Sequence, residues 1–298
     1  MERTYPYGTG VVKWVSTEWL AGNLGSDQIM LIDTQPDVHD YIKRHIPGAV
    51  FMHEGLMRCP MNGTPAYYIP AEAVQMIFRR VGLRNELPAV VYTGSGGFKG
   101  WGDGLEQTMI AYSLARFGHK NVYILDGGLD KWVEEDRSLT KEFPIVQQSD
   151  FEVNVDESLF VEYDEFAQML GRDDVMVLDV RPANMYEGQG PWNKPGHIPG
   201  AVNMPWQSLM DKKNKRLLKP HEELEDILAE HQVGRDQMIY VSCGTGREAT
   251  NVMCLLKWYF HFPGVRLYEG SFTEWVALDN PTVTGKMPYE KAIAAEGA

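Results

Sequence analysis

Short runs of β-branched and aliphatic residues recur along the chain, and each gives way to a stretch with helical spacing. LIDT (Leu31–Thr34), VVYT (Val90–Thr93) and VYIL (Val122–Leu125) have the length and content of buried strands. PAEAVQMIFRRVG (Pro70–Gly82) and LEQTMIAYSLARFG (Leu105–Gly118) place apolar residues on one helical face and end in glycine, a helix stop. Strands alternating with helices predict an α/β fold, a short parallel sheet covered by helices on both faces.

The pattern occurs twice. MLIDTQPDVHDYIKRHIPGAVFM starts at Met30 and MVLDVRPANMYEGQGPWNKPGHIPGAVNM at Met176, the second six residues longer. PAVVYTGSGG (from Pro88) matches QMIYVSCGTG (from Gln237), and VYILDGGLDKW (from Val122) matches VRLYEGSFTEW (from Val265). Four landmarks in one order predict one fold used twice. The division expected is a first domain over 1–140, a linker over 141–160 (within TKEFPIVQQSDFEVNVDESLF, Thr140 to Phe160) and a second domain over 161–298, with a catalytic pocket between the domains. His45 and His197 stand before Ile-Pro-Gly in both copies, so a turn role is expected of them.

Composition narrows the function classes. A net charge of −13 argues against nucleic acid and anionic membranes, which need a basic face, yet leaves room for a small anionic ligand bound by a local positive field. Three cysteines in 298 residues form no disulfide framework, and no metal-ligand spacing is present, so no metal or cofactor is assigned. The start lacks an apolar leader and no run suits a membrane span, so a cytoplasmic chain is expected, or a periplasmic one if a leader has been removed. The sequence leaves the oligomeric state open.

The candidate chemistry lies in VSCGTGREAT (Val241–Thr250), where a thiol ends an apolar run and a helix-like stretch follows. A strand-to-helix turn points backbone N–H groups at one spot and the helix start adds positive potential. Gly244 and Gly246 let the chain curl tightly. A thiol at Cys243 is expected to titrate well below its free value of roughly 8.5. Arg247 is a candidate for an anionic ligand, and Thr245-x-x-Glu248 fits a capping box that would compete for the Thr245 N–H. Asp179 and Arg181 end LDVRP, at a strand edge where open α/β sheets bind ligands. Trp192 and Lys194, in the insertion unique to the second copy, are candidates for the pocket rim. Cys254 reads as helix core and Cys59, before Pro60, as a loop bystander.

RHIPGAV, GHIPGAV, LDGGLDKW, VSTEWLA at Val15 and the six-residue loop Cys243–Glu248 together resemble the rhodanese family (thiosulfate or 3-mercaptopyruvate sulfurtransferases) in its tandem-domain form, over nearly the whole chain. The resemblance implies ping-pong sulfur transfer from a small anionic sulfur donor, through a persulfide on Cys243, to a thiol or cyanide acceptor. It implies a first domain that has lost the cysteine, with Ser95 at the matching position. It gives Arg181 a substrate-anion role and Asp179 a loop-supporting one. Mercaptopyruvate enzymes resemble one another in a second arginine four positions after the first. Met185 stands there, so thiosulfate or another sulfane donor is favoured over 3-mercaptopyruvate, with Arg247 the expected substitute. A non-catalytic sulfur-binding or scaffold protein is the reading from another class. TGSGGFKGWGDG (from Thr93) fits no phosphate-loop spacing and reads as the relic loop of the first copy. Ala249, six positions after Cys243, excludes the arginine of a phosphatase loop.

Overall fold

The structure, a computed structural model, describes residues 3–289 apart from 27, 62 and 99–101. The first half contains β1 (Val12–Val15), α1 (Thr17–Asn23), β2 (Met30–Asp33), α2 (Val38–Lys43), β3 (Val50–Phe51), β4 (Arg58–Met61), β5 (Thr64–Tyr68), α3 (Ala71–Arg80), β6 (Ala89–Tyr92), α4 (Leu105–Arg116), β7 (Val122–Leu125) and α5 (Gly128–Glu134). The second contains β8 (Phe160–Val161), α6 (Tyr163–Met169), β9 (Val175–Asp179), β10 (Val202–Asn203), α7 (His221–Glu230), β11 (Met238–Ser242), α8 (Ala249–Cys254), β12 (Val265–Tyr268) and α9 (Ser271–Ala277).

Each half builds one five-stranded parallel sheet, in the order β1-β7-β6-β2-β3 and β8-β12-β11-β9-β10. The two orders are the same when the strands are matched by the repeat. The strands read as continuous apolar runs because both of their faces are covered. In β11, Ile239 and Val241 face a core shared by the two halves, where α4 packs on α8, while Tyr240 faces an outer core with Phe166, Phe272 and Trp275. The first sheet has its own outer core of Val90, Tyr92, Leu129 and Trp132. Side chains alternate across each strand, so one sheet serves both layers.

The segment expected to link the halves lies against the first one. Phe151 is buried, Arg79 Nε donates to its carbonyl at 2.8 Å, and the Asn154 N–H donates to Phe117 O at 3.1 Å. The second sheet begins with Phe160, inside that segment. Cys59 was expected in a loop. It sits in β4, opposite Tyr67 in an antiparallel hairpin that the apolar pattern did not announce.

Candidate active site

Strand β11 delivers Cys243 to the carboxyl edge of the second sheet, at the start of the turn into α8. The residue is fully buried. Its N–H donates to Ser271 Oγ at 3.1 Å, and its carbonyl accepts the Phe272 N–H at 3.0 Å. Ser271 holds a left-handed φ of 51°, a conformation that strains a non-glycine residue, at the position matching Gly128 in the first half. The backbone N–H groups of Thr245 and Ala249 act on the sulfur in the direction that favours its anion. Gly246 has φ +79°, and a Cβ there would lie 2.5 Å from Glu269 O, so both conformation and space require glycine. At Gly244 the reason is different: a Cβ would stand 2.9 Å from the Trp192 ring.

The expectation of a low thiol pKa is corrected. Burial pushes Cys243 up to about 11, and the negative charge of Glu248 adds to the effect, against the pull of the two N–H groups. Glu248 is itself raised, by burial and then by Asp179, while the Gly244 N–H opposes the shift. The capping box is not formed as expected: α8 is capped at Glu248 rather than Thr245, and no side-chain hydrogen bond caps it among the described residues.

Arg181 is fully buried beside this loop. Asp179 holds it, with Nη2 to Oδ2 at 2.5 Å and Nε to Oδ1 at 3.0 Å, and Gly196 O accepts from Nη2 at 2.9 Å. Asp179 Oδ1 also accepts the Arg181 backbone N–H at 3.0 Å, which fixes the strand end. The guanidinium carbon lies 4.1 Å from the Phe272 ring centre and 5.0 Å from that of Trp192. Nη1 is buried with no hydrogen-bond partner among the described residues. A buried cationic donor left open in this way is suited to an anion.

Trp192 covers the loop from the other side. Its Nε1–H donates to Thr273 Oγ1 at 2.8 Å, and that hydroxyl donates to Gly244 O at 2.7 Å. Lys194, expected at the rim, is drawn away. Its Nζ meets Asp279 Oδ1 at 2.5 Å and the carbonyls of Asp279 and Asn280 at 2.7 and 3.0 Å. His197 stacks on Tyr186 at 3.6 Å and bonds to the carbonyls of Tyr186 and Met287, and His45 bonds likewise to Tyr41 O and Glu142 O. Both histidines form isolated β-bridges just before the Pro-Gly turn, His45 with Thr140 and His197 with Val283. Cys254 is buried in α8, with its thiol pushed well above the usual range by burial.

Arg247 requires a second correction. Its guanidinium does not face the sulfur but crosses to the first half, with Nε to Glu54 Oε1 at 2.6 Å, Nη1 and Nη2 to Asp103 at 2.6 and 3.0 Å, and Nη2 to Glu106 Oε1 at 3.2 Å. Arg58 of β4 donates from Nη1 to the carbonyl of Thr245. The first half thus packs directly on the loop that carries the buried thiol. Glu54, Arg58, Asp103, Glu106 and Ser271 were not singled out from sequence. Only the match of Ser271 to a glycine in the repeat could have drawn notice.

A third correction concerns the first half. β2 pairs Asp33 with Tyr92, as β9 pairs Asp179 with Ser242, so the residue matching Cys243 is Thr93 rather than Ser95. The Leu129 N–H donates to Thr93 O as the Phe272 N–H does to Cys243 O. Ser95 lies two residues further on and is exposed. Gln35 takes the place of Arg181, with Nε2 donating to Asp33 Oδ2 at 2.9 Å. Part of the relic loop, residues 99–101, lies outside the described residues.

The family described as Rhodanese-like domain matches residues 16–135 and 162–278. A Synechococcus elongatus protein provisionally named a thiosulfate sulfurtransferase is 33% identical over 92% of this chain and 86% of its own. The 3-mercaptopyruvate sulfurtransferase of Escherichia coli is 28% identical over 89% of this chain and 95% of its own. A crystal structure of the Escherichia coli 3-mercaptopyruvate enzyme superposes with a TM-score of 0.76 at 26% identity, covering 87% of this chain and 98% of that one. By sequence and by fold, the chain belongs to the rhodanese-like family, in the form that carries the domain twice.

Proposed function

We propose that the protein is a sulfurtransferase that takes the outer sulfur of a small anionic donor onto Cys243 and passes it to a thiol or cyanide. The observation that carries this reading is the fully buried Cys243 at the turn into α8, its N–H held by Ser271 Oγ, beside an Arg181 whose Nη1 has no partner among the described residues. The Cys243 thiolate attacks the outer sulfur of thiosulfate. The S–S bond breaks, sulfite leaves with the electron pair, and a persulfide anion remains under the Thr245 and Ala249 N–H groups. Cyanide then attacks the outer sulfur, and thiocyanate leaves as the thiolate is restored. Named relatives that act on thiosulfate and on 3-mercaptopyruvate support the reaction class.

The donor follows from the charges that are available. Arg247 is committed to three carboxylates, so it does not replace the arginine absent at Met185. A lone Arg181 suits a compact anion better than an α-keto acid whose carboxylate needs a second grip, a difference of about 1–3 kcal/mol. Thiosulfate is therefore expected to give a higher kcat/KM than 3-mercaptopyruvate at fixed cyanide. A 3-mercaptopyruvate value about tenfold above thiosulfate would overturn the donor assignment. Incubation with donor is expected to add one sulfur to the intact mass of wild type, Cys59→Ser and Cys254→Ser, but not of Cys243→Ser. Sulfur retained by Cys243→Ser would overturn the carrier assignment.

A further inference from the structure

We propose that the first half holds the Cys243 loop in its sulfur-binding shape through Arg247, which makes Arg247 a positioning residue for sulfur transfer. This inference rests on the reading of Cys243 as the sulfur carrier. Two grips cross the boundary between the halves in opposite directions. Arg58, from β4, holds the carbonyl of Thr245, and Arg247, from the loop, is held by Glu54, Asp103 and Glu106.

The grips fall on either side of Gly246, the loop residue at positive φ. Glycine crosses between positive and negative φ at little cost, so this is where the loop would relax if it were released. Thr245 and Ala249, whose N–H groups favour the sulfur anion, flank the three residues Gly246, Arg247 and Glu248. Holding Thr245 and Arg247 therefore fixes both donors at once.

The cation is held firmly. Asp103 binds it through two parallel hydrogen bonds, and the Arg247 side chain is only 18% exposed. Glu106 is buried, and without the guanidinium it would face Asp103 and Glu54 as three carboxylates with no cation among them. These residues come from two separate places in the first half, the turn Glu54–Met57 and the start of α4, and they converge on one side chain of the other half. Through this contact the half that lacks the cysteine acts on the reaction.

The test compares Arg247→Met with the double variant Glu54→Gln/Asp103→Asn, which leaves Arg247 in place but takes away its strongest partners. Persulfide formation from thiosulfate and alkylation of Cys243 by iodoacetamide are measured on each. A released loop is expected to lower kcat about tenfold, in line with the cost of small misplacements, with KM for thiosulfate within about threefold. The same release is expected to speed alkylation about threefold or more, because the buried thiol becomes accessible. The triple variant is expected to add little to either effect, since all three residues belong to one interaction. A folded Arg247→Met with unchanged kcat and alkylation would overturn the proposal, as would a raised KM at constant kcat, which would make Arg247 a donor-binding group. If Arg247→Met fails to fold, the carboxylate variant decides by the same two readouts. If the wild type takes up no sulfur, the functional reading fails, while the alkylation comparison still decides the clamp.

Discussion

The Cys243 sulfur is under opposed influences, and their balance sets how it reacts. Burial and the Glu248 carboxylate favour the neutral thiol, the Thr245 and Ala249 N–H groups favour the thiolate, and the result is a pKa pushed up to about 11. The thiol form then persists through neutral pH, and the reactive thiolate grows as pH rises toward that value. Iodoacetamide alkylation of Cys243 is expected to climb about tenfold per pH unit between 7 and 10 without levelling off. A plateau below pH 8 would show a low-pKa thiolate instead. Glu248→Gln removes a negative charge that repels the thiolate, so the curve is expected to move to lower pH and alkylation at pH 7 to become faster. Cys254 shows what burial does with no such donors around it: its thiol is pushed up by burial alone.

At the scale of elements, the working unit is β11, the turn and α8. The strand positions the sulfur, and the turn aims N–H groups at it only because Gly246 can hold φ +79° within 2.5 Å of where a Cβ would strike Glu269 O. That obstacle is backbone and cannot swing aside. Gly246→Ala is therefore expected to cost roughly 1–3 kcal/mol in denaturant unfolding and to lose sulfur uptake with it. Gly22 in α1 is the contrast, since a Cβ there meets nothing within 4 Å and φ is ordinary. Gly22→Ala is expected to be neutral or stabilising by about 0.4–1 kcal/mol, with activity retained. Equal effects of the two changes would show that the turn is not under the constraint described.

At the scale of the whole molecule, the halves are joined by buried charge as well as by a shared core. Arg116 of α4 donates to both carboxylate oxygens of Glu269, at 2.7 and 2.9 Å, and lies over the rings of Tyr68, Phe117 and Phe160. Tyr112 adds a hydroxyl to the same carboxylate at 2.9 Å. Arg116→Met strands a buried carboxylate and is expected to lower unfolding free energy by about 3–5 kcal/mol. Glu269→Met in the same chain is expected to recover much of that loss, because no charge is then left unpaired. A double variant no more stable than Arg116→Met would argue against the pair. No helix among the described residues is long and apolar enough to cross a membrane.

The repeat of apolar runs and helical spacing determined by itself that the chain folds as two parallel α/β sheets. Strands buried on both faces must read as unbroken apolar segments, and α3 follows from local periodicity, whereas α4, expected to be amphipathic, is buried along its whole length where it packs on α8. Cys243, its glycines, and the strand end that carries Asp179 and Arg181 were legible for the same reason: each depends on residues a few positions apart. Three features were decided only by tertiary structure. The partners of Arg247 lie 193 and 144 positions away in the chain, at Glu54 and Asp103, and no spacing rule reaches that far. The match of Thr93 to Cys243 depends on strand register, in which a shift of one residue turns every side chain to the other face. The thiol's high pKa comes from burial and from charges that surround it only in the folded chain, where desolvation outweighs the backbone donors that the loop sequence supplies.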